Sequence, residues 1–167
     1  MSELKAGDSF PEGVSFTYVP YTPEQADIIA CGTGIKYDAS KEAKDKKIVI
    51  VAVPGAFTPT CQEQHVVSYT KNKDKLKAKG VDQVVFIAAN DHFVMSAWGK
   101  ANGVTDDYII FASDNGTEFS KSIGWASGER TQRYAIVVDH GKVTYAERDT
   151  VRGTVTNSGA EGVLAHL

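Results

Sequence analysis

The sequence predicts an α/β fold, a three-layer sandwich with a mixed central sheet and a late β-hairpin. Three observations predict it. Residues 48–53 and 84–89 are continuous apolar runs, the mark of strands covered on both faces. Helical stretches follow each of these strands, which implies parallel pairing. Residues 134–138 and 142–146 flank Asp139-His140-Gly141, which reads as a hairpin turn and adds antiparallel strands.

Taken in order, residues 15–21 alternate like an edge strand, with Pro20 limiting its pairing. Residues 22–47 are polar and mixed, with Cys31-Gly32-Thr33-Gly34 at a turn and a charged, solvated stretch from Lys41 to Lys47. The strand over 48–53 is broken by Pro54-Gly55-Ala56-Phe57-Thr58-Pro59-Thr60-Cys61. A long helical stretch then runs to about Lys79, with Gly80 as its C-cap. After the strand at 84–89, Asp91 is placed to N-cap a helix reaching Asn102-Gly103. Residues 108–112 form a third, shorter strand, and residues 115–123 hold a short helix at most. Ser158 to Leu167 reads as a terminal helix. A three-layer sandwich of thioredoxin type accommodates this order, with residues 1–167 as a single domain.

Composition narrows the function. The 167 residues carry a formal net charge of -3, and arginine occurs only at Arg130, Arg133, Arg148 and Arg152, so a nucleic-acid surface is not indicated. No apolar run approaches a membrane span. The N-terminal residues Met1 to Asp8 lack the apolar core of a signal peptide. The two cysteines, Cys31 and Cys61, therefore suggest a reducing compartment, where they are free, structural or catalytic. Asn115-Gly116-Thr117 matches a glycosylation sequon but reads here as an ordinary loop. No nucleotide, flavin or haem motif appears, so no cofactor is expected.

Cys61 carries the chemistry. It follows a buried strand and falls in the first turn of a helix, where Pro59 suits the first helical position. Unpaired N–H groups and the positive dipole end favour a thiolate there. Thr58 is placed to offer a hydroxyl to the sulfur or to a bound oxygen. An ordinary thiol is roughly 3% ionised at pH 7, so full ionisation alone accelerates only ~30-fold. A large rate therefore demands donors preorganised for the transition state.

Pro54, Thr58 and Cys61, spaced Pro-x-x-x-Thr-x-x-Cys at a strand-to-helix junction, resemble the peroxiredoxin active-site motif. The longer string Val53 to Cys61, with His65 following, is similar to the peroxiredoxin-5 subfamily. So are Asn90-Asp91, Ser96 to Lys100, Phe111 to Asp114 and Arg133-Tyr134-Ala135. The likeness is greatest to the fungal branch, which includes peroxisomal members and allergens. It implies a thiol peroxidase of antioxidant defence in which Cys61 is the peroxidatic nucleophile. Thr58 would bond the sulfur and the peroxide, Pro54 would shield the sulfenic acid, and Arg133 would stabilise the thiolate and orient the peroxide. Read alone, Arg133 would be a surface salt-bridge residue. Gly55, Phe57, His65 and Trp98 are supporting candidates. His65 lies one turn after Cys61 and either supports the pocket, tunes the cysteine or packs against the preceding strand. Trp98 is either an aromatic near the site or a core residue, and Phe57 lines the pocket or a dimer contact. A Cys-x-x-x-His pair lacks the further ligands a metal needs.

The same resemblance places Cys31 as the resolving cysteine, reaching Cys61 across a homodimer, against a spectator role with an external thiol acting directly. Thioredoxin is the implied reductant, with glutaredoxin and glutathione as the alternative. The expected location is cytoplasmic, with Ala165-His166-Leu167 a loose variant of a peroxisomal address. Two competing readings stay open. A thiol–disulfide oxidoreductase would commonly use Cys-x-x-Cys, but Thr58 fills the earlier position. A redox sensor or chaperone would begin with the same oxidation of Cys61.

Overall fold

The computed structural model describes residues 3–167, so Met1 and Ser2 of the N-terminal segment lie outside the described residues. One seven-stranded sheet organises the chain. Its strands are β1 (Ser15–Tyr18), β2 (Ile35–Asp38), β3 (Lys47–Ala52), β4 (Gln83–Ala88), β5 (Ile109–Ser113), β8 (Tyr134–Asp139) and β9 (Lys142–Arg148). A separate two-stranded hairpin is formed by β6 (Ala126–Ser127) and β7 (Arg130–Thr131). The order across the large sheet is β2-β1-β5-β4-β3-β8-β9. Strands β3, β4 and β5 are parallel, and the outer pairings are antiparallel.

Alternation along each central strand builds the layers. Ile48, Ile50 and Ala52 of β3 join Val85 and Ile87 of β4 on one face, against Ala39 and Ala43 of α1 (Ala39–Asp45) and Phe119 of α5 (Glu118–Ser122). Val49 and Val51 join Phe86 on the other face. That face is covered by Tyr69 of α2 (Val67–Lys71), Leu76 of α3 (Lys73–Ala78), Met95 and Trp98 of α4 (His92–Ala101), and Val163 of α6 (Ala160–Leu164). Both faces are dry, which is why these strands read as unbroken apolar runs.

Several boundaries differ from the sequence reading. The first strand is not an edge strand: β1 lies between β5 and β2, and β2 takes the edge. The polar segment 22–47 conceals β2 and α1, because only Tyr37, Ala39, Ser40 and Ala43 of these two elements turn inward. The long helix after Cys61 is two helices. Residues Cys61–Val66 take π-helical turns and continue as α2 (Val67–Lys71), and the chain then breaks at Asn72 before α3. Gly80 does adopt positive φ (81°) at the end of α3. The terminal helix is shorter than expected, limited to Ala160–Leu164. The Asp91 cap forms, its carboxylate accepting from Val94 N–H at 2.9 Å. His140 (φ 49°) and Gly141 (φ 86°) both take positive φ, as a two-residue primed hairpin turn requires.

Candidate active site

The segment between β3 and α2 is a tight bend at the end of the sheet. Phe57 sits in the left-handed region (φ 61°), which costs a non-glycine residue and persists only where neighbours hold it. Asn90, after β4, accepts Ala56 N–H at 2.9 Å. Thr58 Oγ1 donates to Gly55 O at 2.7 Å. A Cβ on Gly55 would come within 3.2 Å of Thr58 Cγ2, so glycine keeps this bend compact. Half of Phe57 is exposed while its ring leans on Trp98, centroids 6.4 Å apart.

The helix that follows places Cys61 with its side chain buried. Gln62 next to it is clamped: its Oε1 accepts from Trp98 Nε1 at 2.6 Å and from Asn102 Nδ2 at 3.1 Å. Trp98 itself is a fully buried residue of α4 that reaches the site through Gln62. Trp98 is thus a core residue whose indole N–H is held by the neighbour of Cys61.

Arg133 comes from 72 positions further along the chain. Pairing of Ala52 with Tyr134 brings the start of β8 beside the end of β3. Thr131 Oγ1 pins β7 there by donating to Val53 O at 2.7 Å. The guanidinium then bridges two groups: Nη2 donates to Cys61 Sγ at 3.2 Å, and Nη1 donates to His65 Nδ1 at 2.9 Å. Arginine has only donors, so His65 Nδ1 must be the acceptor and Nε2 carries the proton. Nε2 accordingly donates to Ser158 O at 2.9 Å. Burial pushes the His65 imidazole down to about 3, with the Arg133 charge adding to it and the bond to Ser158 opposing it. His65 is therefore neutral, and it holds the guanidinium rather than moving protons.

A further layer was not visible in the sequence. Ser158 O also accepts from Tyr69 Oη at 2.6 Å. Asp149 holds this turn in place: its carboxylate accepts N–H groups of Thr156 (3.1 Å), Asn157 (2.8 Å) and Ser158 (3.0 Å) and the Ser158 hydroxyl (2.5 Å). Burial alone would raise the Asp149 carboxyl, but these bonds, led by the Ser158 hydroxyl, keep it below the usual value. A continuous line of contacts thus runs Asp149, Ser158, His65, Arg133, Cys61. No spacing signal links Asp149 or Ser158 to Cys61, because the connection passes through a backbone carbonyl.

Pro54 lines the cavity outside Arg133. Cys31 lies apart from this group, exposed on the segment between β1 and β2, with Sγ 3.9 Å from Ile29 O. Lys100 of α4 ties that segment down by donating to Asp27 O (3.1 Å) and Ala30 O (2.7 Å). Both cysteines are free thiols. Among the described residues no group of His, Cys, Asp and Glu side chains is arranged to hold a metal, and no helix is long and apolar enough to cross a membrane. Chemically, the centre presents a sulfur beside a fixed cation, with a hydroxyl oxygen three residues earlier whose hydrogen is already committed.

Residues 5–164 match the family model described as Redoxin. The chain is 54% identical to peroxiredoxin Pen c 3 of Penicillium citrinum, over 98% of this chain and 99% of that one. It is 53% identical to a relative from Lipomyces kononenkoae named as a peroxisomal peroxiredoxin, over 96% and 99%. Among solved structures, reduced Prx3 of Vibrio vulnificus in complex with hydrogen peroxide superposes with a TM-score of 0.80 at 34% identity, covering 97% of this chain and 98% of that one. The sheet, its helices and these matches together describe a thioredoxin-like fold. By this match along nearly its whole length, the chain belongs to the Redoxin family, among the peroxiredoxins and close to fungal ones, and is a thiol peroxidase.

Proposed function

We propose that this peroxidase reduces hydrogen peroxide and alkyl hydroperoxides at Cys61, and that residues 1–167 work as one domain. The observation that carries the reading is the double engagement of Arg133, on Cys61 Sγ at 3.2 Å and on neutral His65 at 2.9 Å. The guanidinium lies against the sulfur and is already oriented when charge builds on the departing oxygen. The thiolate attacks the terminal peroxide oxygen. The O–O bond breaks, an S–O bond forms, and the hydroxide or alkoxide leaves and takes up a proton. Cys61 becomes a sulfenic acid, oxidised by the two electrons the peroxide gains. Thr58, its hydrogen given to Gly55 O, presents an acceptor to the hydroperoxide O–H. Pro54, with no N–H of its own, lines the approach and shields the sulfenic acid. Sulfur and peroxide suffice for this step, so no cofactor takes part.

Cys31 then resolves the intermediate across a homodimer: its sulfur attacks the sulfenic sulfur, a disulfide forms and water leaves. Its exposure supports this, as does its being the sole other cysteine in the sequence. Thioredoxin reduces the disulfide, with glutathione and glutaredoxin the competing donors. We place the protein in the cytoplasm, with peroxisomal import as the alternative that the Lipomyces relative's name and Ala165-His166-Leu167 support. The test is to treat reduced protein with one equivalent of hydrogen peroxide and a sulfenic-acid trap, then map the adduct by mass spectrometry. Trapping at Cys61 is expected, and trapping at Cys31 alone would contradict the reading.

A further inference from the structure

All four arginines of the chain, Arg130, Arg133, Arg148 and Arg152, line a single cavity of about 540 Å³. No lysine lines it, although lysines make up most of the 18 basic residues. Pro54 and Arg133 line the cavity, and Arg133 also donates to Cys61 Sγ at 3.2 Å, so one wall of the cavity is shared with the buried sulfur. Its volume suits a small organic molecule and far exceeds what hydrogen peroxide needs.

Two of its four guanidinium groups are uncommitted. Asp149 is the only carboxylate in the lining, and its oxygens are taken by Thr156, Asn157 and Ser158. Arg148 is occupied: it donates to Gln132 Oε1 at 3.0 Å and to Glu3 Oε1 at 3.2 Å, with its guanidinium 5.4 Å from the Trp125 ring centroid. Arg130 and Arg152 are exposed, and among the described residues neither forms an ion pair. A chain of net charge -3 otherwise repels anions. Concentrating arginine beside the reactive sulfur reverses that locally, and a guanidinium matches a carboxylate with two parallel donors.

We propose that this cavity selects hydroperoxides that carry a carboxylate, Arg130 and Arg152 receiving the carboxylate while Arg133 and Cys61 receive the peroxide group. The inference rests on the peroxidase reading of Cys61 and names the substrate class of that site. The Cys61 thiolate attacks the terminal oxygen, the O–O bond breaks, and the carboxylate-bearing alkoxide leaves and is protonated to the alcohol.

The experiment is single-turnover oxidation of the reduced full chain, with no reductant present. Three peroxides are compared: cumene hydroperoxide bearing a para carboxylate, its methyl ester, and hydrogen peroxide as internal reference. The acid is expected to react at least tenfold faster than the ester, with the gap closing as salt is raised. In Arg130→Gln/Arg152→Gln the acid-to-ester ratio is expected to fall to within about twofold of one. Equal rates for acid and ester in the wild type would overturn the proposal, as would an unchanged ratio in the double variant. Charge selectivity confined to the later reduction by glutathione, compared with its ester, would also overturn it and assign the cavity to the reductant. Failure of Cys61 to react with any of the three, hydrogen peroxide included, would overturn the peroxidase reading as well.

Discussion

His65 Nδ1 accepts a hydrogen bond from Arg133 Nη1 at 2.9 Å, deep enough that the imidazole is fully buried and neutral. The other terminal guanidinium nitrogen, Nη2, is the one that meets Cys61 Sγ. The histidine one turn after Cys61 thus positions a cation that arrives from a distant strand.

Removing this support should loosen Arg133 without deleting it. A hydrogen bond to a charged group contributes about 1.5–3 kcal/mol, so His65→Ala should slow Cys61 oxidation roughly 10- to 100-fold. Stopped-flow fluorescence with hydrogen peroxide reads this. The rate should show no inflection assignable to His65 between pH 5 and 8, because its imidazole stays neutral there.

The same burial makes a stability prediction. An unfolded histidine binds its proton near 6.5, whereas folded His65 does so only near 3. Between those values the unfolded chain holds a proton that the folded chain refuses, so stability falls as the pH drops below 6.5. From pH 7 to pH 5 this group should cost about 2 kcal/mol. Urea unfolding of the wild type and of His65→Gln at both pH values tests it, with the variant expected to lose that much less.

Arg133→Lys keeps the charge and loses the fork. A lysine ammonium on a flexible stem cannot reproduce two fixed donors on Sγ and Nδ1. The expected loss in the rate of Cys61 oxidation is roughly 100-fold, about 3 kcal/mol of transition-state stabilisation. Within fivefold of wild type would show that charge alone suffices.

Asp149→Asn keeps shape but weakens the turn that carries Ser158 O. Half-exposure limits the effect, and a stability loss of roughly 1–2 kcal/mol is expected from calorimetry. Because the folded carboxyl is held below its ordinary value, its contribution is present above pH 4 and lost as pH falls through the folded value. A several-fold slower Cys61 oxidation should accompany the change.

How much of this could be read in the chain depended on distance along it. The central strands were legible because both faces are buried, giving the unbroken runs of β3 and β4. β2 and α1 were not, since a mostly exposed edge and its charged helix show little apolar pattern. The π-helical turns of Cys61–Val66 left no sequence trace, although Cys61 and His65 share a face in either helix. Pro54, Thr58, Cys61 and Arg133 stood out through the resemblance to the peroxiredoxins. The arrangement behind Arg133 did not, because Asp149 acts on His65 through the main chain of Ser158.

Cys31→Ser should still allow Cys61 to be oxidised, but leave its sulfenic acid without the internal partner. Non-reducing electrophoresis after one equivalent of peroxide should show a disulfide-linked dimer in wild type and monomer in the variant. Thioredoxin-linked turnover should fall more than about tenfold. Full turnover in the variant would assign resolution to an external thiol.

The most direct measurement is peroxide consumption by wild type and Cys61→Ser, side by side, with thioredoxin and its reductase supplying electrons. A serine hydroxyl fills nearly the same space beside Arg133 but is not ionised near neutral pH, so the fold is kept while the nucleophile is lost. Consumption should drop to the level of buffer alone in Cys61→Ser. Retained consumption there would contradict the assignment of Cys61 as the residue that attacks the peroxide.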